Sequence, residues 1–211
     1  MEVHPSQRLP DKTLASLERC TQLRRYPKNT IVVSQGDQGE TVFFILEGRV
    51  KVYVSDDAGD QVVVGMQGRG EYFGELSLDD GLRSASVVTV EPTQLAVVPK
   101  TKFGELVASE PELAVQLIGH LIGRVRALTE RVTDLALMDV YGRVVKLLHD
   151  QSTPRADGTR SMKRLTQQDL AEHVGSSREM VSRIFKELVV GGYVSMTTEE
   201  IIVHKVPPRR W

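Results

Sequence analysis

Two arginines and a glutamate stand close together near the C-terminus, in a segment that reads Ser176-Ser-Arg-Glu-Met-Val-Ser-Arg-Ile-Phe-Lys-Glu-Leu188. An arginine donates two hydrogen bonds to the N7 and O6 atoms of guanine, and a glutamate accepts one from N4 of cytosine. Arg178, Glu179 and Arg183 therefore have the chemistry to read base pairs, provided that a helix presents them to a DNA groove.

The surrounding pattern predicts two short helices joined by a glycine turn. Thr166 is a hydroxyl N-cap with Asp169 three positions on, and Gly175 ends that helix. The second helix has an apolar stripe that leaves its charged residues outside, made by Val181, Ile184, Phe185 and Leu188. The same pattern is also typical of a plain helical hairpin, so the base-reading chemistry is what favours DNA binding.

Hydroxyl groups and a hairpin complete this pattern. Thr166, Ser176 and Ser177 stand at helix starts, where hydroxyls and unpaired N–H groups hold phosphates. After Gly191-Gly192, the stretches 193–196 and 201–204 predict two short strands, which together form a wing.

These residues resemble the winged helix of the CRP/FNR superfamily of bacterial transcription regulators. Ser-Arg-Glu-Met-Val-Ser-Arg is similar to the recognition-helix motif Ser-Arg-Glu-x-x-x-Arg of its cyclic-AMP receptor branch. The resemblance implies that Arg178, Glu179 and Arg183 contact bases in palindromic half-sites similar to TGTGA, with RNA polymerase as a further partner. It also implies contacts with DNA phosphates by Thr166, Ser177 and Lys186. At the tip of the wing, it implies DNA contacts by Thr197 and Thr198.

Composition bounds the class of protein. The 211 residues are 40% hydrophobic and 26% charged, which suits one large or two ordinary globular domains. Residues 1–140 have a net charge of −5 and residues 141–211 one of +4, so the positive charge lies where the helix pair is predicted. We find no apolar run of membrane-spanning length and no signal peptide, and therefore expect a cytoplasmic protein.

Cysteine and histidine usage argues against a metal centre. Cys20 stands alone, so it is most simply a small buried residue and cannot supply an iron-sulfur cluster. The five histidines show no ligand spacing, which disfavours a cupin-like enzyme. We expect no enzyme activity; that enzyme and a nucleotide-binding scaffold without a DNA role are the alternative functions.

From residue 29 to 100 the apolar residues recur with period two between frequent glycines. This predicts a jelly roll with strands at 30–33, 41–46, 48–54, 61–66, 85–90 and 94–98. The spacing breaks before Glu71, which leaves room for a non-strand insert at 73–86.

That insert has the groups that a buried cyclic phosphate needs. Arg83 supplies a cation, Gly74 and the Arg83-Ser84-Ala85 backbone supply donors, and Glu75 can accept from a ribose hydroxyl. The insert resembles the phosphate-binding cassette of cyclic-nucleotide-binding domains, with Leu82 where the cassette usually has proline. The predicted effector site therefore includes Gly74, Glu75, Leu76, Arg83, Ser84 and Ala85.

A long helix is predicted from about Pro111 to Leu137. Its heptads place Ile118, Val125 and Val132 at a, with Ala114, Leu121, Leu128 and Leu135 at d. A broader apolar face would suit a helix packed on its own domain, whereas this narrow seam favours a parallel homodimer. Resemblance makes it the dimerisation helix of the family.

The same helix bears on the identity of the effector. In cyclic-AMP receptors a Thr-Ser pair of this helix reaches the adenine, and the aligned residues here are Leu128-Thr129. Leu128 cannot hydrogen-bond the exocyclic amine. With Arg124, this pair completes the predicted effector site. Cyclic AMP, another cyclic nucleotide or dinucleotide, a different small effector, and an effector-free active dimer all stay open.

The sequence thus predicts an α+β protein in three parts: an effector-sensing β-roll with an N-terminal helix (1–110), a dimerisation helix (111–138) and a winged helix-turn-helix (139–211). We expect a two-state switch, in which an effector alters the packing of the dimer helices and thereby the spacing of the two recognition helices.

Overall fold

The computed structural model describes residues 8–77, 81–109 and 111–208. The side chain of Cys20, the first seven residues and the middle of the predicted insert, residues 78–80, lie outside the described part. The chain divides into two compact units, one that ends at Leu128 and one that begins at Thr129. None of the helices in the described ranges combines the length and hydropathy of a membrane span.

In the described part of the N-terminal unit, eight strands form two antiparallel sheets of four. The strand order is β1-β8-β3-β6 in one sheet and β2-β7-β4-β5 in the other. Both sheets contribute to one core, so the unit is the predicted roll. The strands are β1 (Gln22–Tyr26), β2 (Ile31–Val33), β3 (Thr41–Glu47), β4 (Arg49–Ser55), β5 (Gln61–Gly68), β6 (Tyr72–Phe73), β7 (Ser86–Thr89) and β8 (Thr93–Pro99).

Strand β3 is buried on both faces and explains how the helices are held. Phe43 and Ile45 point into the core between the sheets, whereas Val42, Phe44 and Leu46 point the other way. That second face is covered by α1 (Asp11–Cys20), α2 (Lys100–Ser109) and the first turns of α3 (Pro111–Leu137). The unit therefore has three layers, with the apolar run of β3 in the middle.

The long helix α3 has the bounds that the sequence predicts. One of its faces packs on the roll through Leu113, Leu117 and the buried His120. A neighbouring face carries the predicted seam, whose larger members are between 36% and 66% exposed: Ile118, Leu121, Val125, Leu128, Val132 and Leu135. The two interpretations of this helix thus describe different faces, because the first turns pack on their own domain while the seam stays open.

The C-terminal unit contains the predicted winged helix. After α3 come α4 (Val140–Gln151), α5 (Gln167–Val174) and α6 (Arg178–Val190), and their apolar stripes form one core with the sheet. The sheet has the order β11-β12-β10-β9. Its strands are β9 (Thr153–Pro154), β10 (Arg160–Lys163), β11 (Val194–Met196) and β12 (Glu200–Val203).

The polar residues of 151–162, with Pro154 and Gly158 among them, predict an exposed loop, and this prediction is wrong. Strands β9 and β10 pair antiparallel there, and β10 continues by pairing with β12 of the wing. Met162 is buried in the core of the unit, and Arg160 donates to Ser152 Oγ at 2.9 Å, so an apolar contact, a side-chain hydrogen bond and ladder pairing hold this hairpin. The tip between the strands, 155–159, is polar and mostly exposed.

Candidate effector site and nucleic-acid interface

Arg83 lies in the loop before β7, and both its backbone N–H and its carbonyl oxygen are hydrogen-bonded. Its backbone N–H donates to Asp37 O at 2.8 Å, and its carbonyl accepts from the N–H of Gly36 at 2.8 Å. The side chain turns inward and is only 7% exposed. Burial lowers the pKa of its guanidinium, and the carboxylates of Glu75 and Asp37 act in the opposite direction. Arginine remains charged even so, and a buried charge of this kind needs polar partners.

Those partners come from strand β3 and from Gly74. The guanidinium donates to the carbonyl oxygen and the hydroxyl of Thr41 at 2.9 Å and 3.0 Å, and to Gly74 O at 2.9 Å. It also lies 5.9 Å from the centre of the Phe43 ring. Thr41 was not predicted as a site residue, because nothing in its own segment marks it except its position at a strand start.

Gly74 is required by both its backbone and its surroundings. Its φ of +91° lies in the left-handed region. A Cβ at this position would lie 2.6 Å from Nη1 of Arg83 and 2.7 Å from the carbonyl oxygen of Thr41. The Gly-Glu step therefore lets the backbone approach the guanidinium to a distance that a side chain would prevent.

Glu75 begins a one-turn 3₁₀ helix, Glu75–Ser77, and its side chain is almost fully buried. Its carboxylate accepts a hydrogen bond from Nη1 of Arg124 on α3, and the other arm of that guanidinium donates to Tyr72 O. The Arg124 guanidinium lies 5.2 Å from the Tyr72 ring centre. The long helix is thereby tied directly to the predicted sugar-binding carboxylate.

The structure brings most predicted effector residues around one cavity of about 60 Å³. Its polar wall includes Gly74, Glu75, Arg83, Ser84 and Arg124, and its apolar wall includes Leu76, Ala85, Val33, Val52, Phe73 and Val87. Small-molecule pockets usually exceed ~300 Å³, so a ligand of nucleotide size must displace side chains to enter. Leu76 and Ser84 are exposed and stand at the edge.

Two residues of α3 that were predicted to reach the nucleobase of the effector, Leu128 and Thr129, do not line this cavity. Leu128 is exposed and does not line it. Thr129 is exposed at the next position of α3, where its carbonyl accepts a hydrogen bond from the Thr133 hydroxyl at 2.9 Å. One cavity-lining polar residue was missed: Gln67, on β5. A polar residue at an inward position of an alternating strand was the available signal.

The helix-turn-helix is fixed by caps that the sequence predicts. Thr166 and Asp169 form a reciprocal capping box at the start of α5. Gly175 ends that helix in the left-handed region with φ +63°. Ser177 caps α6, with its hydroxyl accepting from the N–H of Met180 at 3.2 Å. Ser176 lies half-buried in the turn between them.

Four predicted DNA-contacting side chains stand exposed on α6: Arg178, Glu179, Arg183 and Lys186. The opposite stripe of Val181, Ile184, Phe185 and Leu188 is buried, as predicted. Among the described residues, none of the four charged side chains forms an internal hydrogen bond or ion pair. They are therefore available to an external ligand without breaking a contact of the fold.

The wing tip is held by one residue that was not predicted. Arg164 donates through Nη1 to Thr197 O at 2.5 Å, and its N–H donates to Glu199 O at 2.8 Å. Thr197 itself accepts from the N–H of Glu200 at 3.0 Å through its hydroxyl. Thr197 and Thr198 are both exposed at the turn.

The end of α3 is fastened to the helix-turn-helix within the C-terminal unit. Arg143 donates to Met138 O at 2.8 Å, Val174 O at 2.7 Å and Gly175 O at 3.2 Å, so one guanidinium joins the ends of α3 and α5. A Cβ at Gly175 would lie 3.3 Å from Cδ2 of Leu135, which places that leucine against the turn.

An ion triad adds to this attachment. Lys146 of α4 donates to Glu130 at 2.6 Å and to Asp134 at 2.5 Å.

His173 of α5 contacts Asp169 O through Nδ1 at 2.7 Å, and burial lowers the pKa of its imidazole. Within the described ranges, no three His, Cys, Asp or Glu side chains come together as a possible metal site.

Two family matches cover the two units. Residues 23–110 match the cyclic nucleotide-binding domain, and residues 142–207 match the Crp-like helix-turn-helix domain. The first match contains Glu75 and Arg83, and the second contains α5, α6 and the wing.

Relatives match over nearly the whole chain. The chain is 34% identical over 203 residues to Vfr of Pseudomonas aeruginosa, a cAMP-activated global transcriptional regulator, with 92% of each chain covered. It is 30% identical over 201 residues to the cAMP-activated global transcriptional regulator CRP of Pasteurella multocida, covering 92% of this chain and 95% of the relative. The solved structure of CLP, the c-di-GMP responsive global regulator of Xanthomonas campestris, has a TM-score of 0.83 at 26% identity, covering 93% and 100%.

Proposed function

The chain belongs to the CRP/FNR family of effector-controlled, DNA-binding transcription regulators, and on that premise we propose that a cyclic nucleotide bound by Arg83 and Glu75 controls its binding to palindromic TGTGA-type promoter sites. The observation that carries this proposal is the single cavity where Gly74, Glu75, Arg83 and Arg124 meet. A cation for phosphate and a carboxylate for a ribose hydroxyl are thereby joined to the long helix.

The binding chemistry follows from the groups now paired inside the cavity. A phosphate would compete with the neutral acceptors of Thr41 and Gly74 for the Arg83 guanidinium, and its negative charge adds an attraction that those neutral oxygens lack. A ribose hydroxyl would compete with Arg124 for Glu75. Effector binding is therefore coupled to a contact of α3, which is the physical link between ligand and helix.

The effector is proposed to be cyclic AMP or another cyclic nucleotide or dinucleotide. Vfr and CRP are named as cAMP-activated, and CLP as c-di-GMP responsive. Leu128 offers no hydrogen bond to an exocyclic amine where cyclic-AMP receptors have a hydroxyl, while Thr129 retains one. We therefore expect weaker preference for cyclic AMP over cyclic GMP than in receptors that carry the Thr-Ser pair.

Dimerisation through the exposed seam of α3 supports this function. Regulators of this family act as dimers, and apolar side chains arranged in heptads along one exposed face are typical of a coiled-coil partner surface. We propose that the seam from Ala114 to Leu135 pairs two copies in parallel. Two recognition helices can then reach half-sites one duplex turn, ~34 Å, apart.

DNA reading is proposed for the exposed residues of α6 and the wing. Arg178, Glu179 and Arg183 supply donors and an acceptor for base edges. Hydroxyls and N–H groups at the two helix starts and the wing, together with Lys186, supply phosphate contacts. These are Thr166, Ser176, Ser177, Thr197 and Thr198.

The wider setting is also a proposal. We propose a division into a β-roll (1–110), a dimerisation helix (111–138) and a winged helix (139–211); the family matches over 23–110 and 142–207 support the first and the last of these. We place the protein in the bacterial cytoplasm at the nucleoid, with RNA polymerase contacting the exposed tip at 155–159. No catalytic step is proposed, because the relatives are transcription regulators.

Titration calorimetry with cyclic AMP, cyclic GMP and cyclic di-GMP tests the effector. Arg83→Ala should weaken binding of the wild type's preferred ligand by more than ~100-fold, because it leaves a buried phosphate without its countercharge. Arg24→Ala, an exposed arginine on β1, is the matched control and should bind as the wild type does. Absence of binding of all three ligands to the wild type would end the cassette assignment, and strong selectivity for cyclic AMP would refute the role given to Leu128.

A further inference from the structure

Gln67 is a buried amide in the wall of the effector cavity. It lies near the end of β5, paired with the fully buried Val50 of β4, and is only 8% exposed. Its Oε1 atom is buried and has no hydrogen-bond partner among the residues that the structure describes. The residue lines the same cavity as Glu75 and Arg83.

An unsatisfied amide oxygen is a costly choice for a packing residue. The neighbouring cavity walls are apolar, formed by Val33, Val52 and Val87. A methionine of similar length would fill this place without a buried acceptor, and an unpaired buried acceptor costs stability. The position therefore suits a residue whose hydrogen bond is completed by something else that enters the cavity.

Strand β5 lacks a side chain two residues before this amide. Gly65 stands two residues before Gln67 on β5 and pairs with Val52 of the apolar wall. A Cβ added at Gly65 would meet no heavy atom within 4 Å. The strand beside Gln67 therefore leaves room at Gly65 for a small group, next to the apolar Val52.

We propose that Gln67 is a specificity-determining residue that reads the nucleobase of the effector, accepting through Oε1 from an N–H of a purine. This rests on the proposed function, in which Arg83 takes the phosphate and Glu75 the sugar. What is left for recognition is the base, and a neutral planar amide offers it one acceptor and two donors. The amine of adenine and the N1–H or amine of guanine both supply the missing donor.

This assignment also explains how a base is read without the hydroxyl that Leu128 replaces. Reading from β5 places the contact on the roll itself. A contact with Gln67 favours any purine whose base has an N–H donor, so both adenine and guanine are accepted. A purine that lacks such a donor leaves Oε1 unpaired and should bind less well.

The test compares cyclic AMP with the 3′,5′-cyclic monophosphate of purine riboside, which has the same phosphate, sugar and ring but no N–H donor on the base. The full-length wild type should bind cyclic AMP about tenfold more tightly, the effect of one buried hydrogen bond. Gln67→Met keeps the length of the side chain and removes the amide, and should bind the two ligands equally. Calorimetry measures both affinities.

Thermal melting of the same proteins separates reading from a structural role. Because Oε1 is unpaired within the described residues, Gln67→Met should melt at the same temperature as the wild type or higher, and Gln67→Leu serves as a second variant. A drop of several degrees in both variants would make Gln67 a structural residue and overturn the inference.

The binding outcomes are likewise separable. Retained discrimination in Gln67→Met, or none in the wild type, overturns the role of Gln67 while the proposed function stands. Failure of the wild type to bind any of cyclic AMP, its purine analogue, cyclic GMP and cyclic di-GMP overturns both together, whereas binding of cyclic di-GMP alone overturns only the role of Gln67.

Discussion

Replacing Arg183 by alanine should remove one base contact from each half-site and leave the fold unchanged. The side chain is exposed on α6 and, among the described residues, holds no internal hydrogen bond or ion pair. A bidentate contact to guanine contributes ~1 to 3 kcal/mol. Because a dimer presents two recognition helices, the loss should be ~2 to 6 kcal/mol, or roughly 30-fold to 20,000-fold in Kd.

Lys186→Ala is the matched comparison from the same exposed face of the helix. A phosphate contact carries no sequence information, so this variant should weaken binding to all sequences alike. It should also flatten the plot of log K against log salt by about 0.9 for each phosphate, or about 1.8 for the dimer. Arg183→Ala should instead lower specificity for the base pair that it contacts.

Fluorescence anisotropy with a TGTGA palindrome, single-base variants and an unrelated duplex, at several salt concentrations, measures both effects. The effector preferred by the wild type is held saturating throughout. Equal affinity of Arg183→Ala and wild type for the palindrome would refute base reading by Arg183. A uniform loss across all three duplexes would make it a phosphate contact instead.

Three further predictions concern the cavity, the dimer seam and the pH response. Gly74→Ala should abolish cyclic-nucleotide binding and lower the Tm more than Gly36→Ala does, because both positions have positive φ but only at Gly74 does a Cβ meet other atoms. Equal Tm values for the two variants would show that the cavity adapts. Leu128→Asp should sediment as a folded monomer, because the facing carboxylates would repel each other in a desolvated seam. Leu137→Asp changes a residue outside positions a and d and should stay dimeric. A dimeric Leu128→Asp protein would rule out this heptad register. Burial lowers the pKa of His173 from its ordinary 6.5, so the unfolded chain takes up the proton first and the wild type should lose stability as pH falls below about 6.5. His173→Gln should flatten that dependence in melting curves at about pH 7.5 and about pH 5.5, and an unchanged slope would contradict the assignment.

Elements with strong periodicity were predictable from the sequence. The helix Pro111–Leu137, the capped pair α5 and α6 and the wing strands all follow local patterns, and their existence is confirmed. Strand β1 was missed because its residues Gln22–Tyr26 are mostly exposed and show no alternation. It forms through pairing with β8, about seventy residues away, which no local pattern reveals.

The site was predictable only where its groups are close in sequence. Gly74, Glu75 and Arg83 belong to one segment with recognisable chemistry. Thr41 and the pairing of Arg124 with Glu75 come from separate elements that only the folded chain brings together. The hairpin at 153–163 was missed for a similar reason, since its ladder depends on β12.

The attachment of Arg143 and Lys146 to the last turns of α3 has a consequence for building hybrid regulators. These two side chains bond Met138 O, Glu130 and Asp134, and Leu135 lies against Gly175, so the segment after Leu128 is mechanically part of the reading head. A chimera that joins a foreign sensor domain at residue 138 would remove these bonds, and the DNA-binding unit would lose its attachment to the end of α3. A junction between residues 128 and 129 keeps these bonds, so the transferred DNA-binding unit retains its own segment of α3.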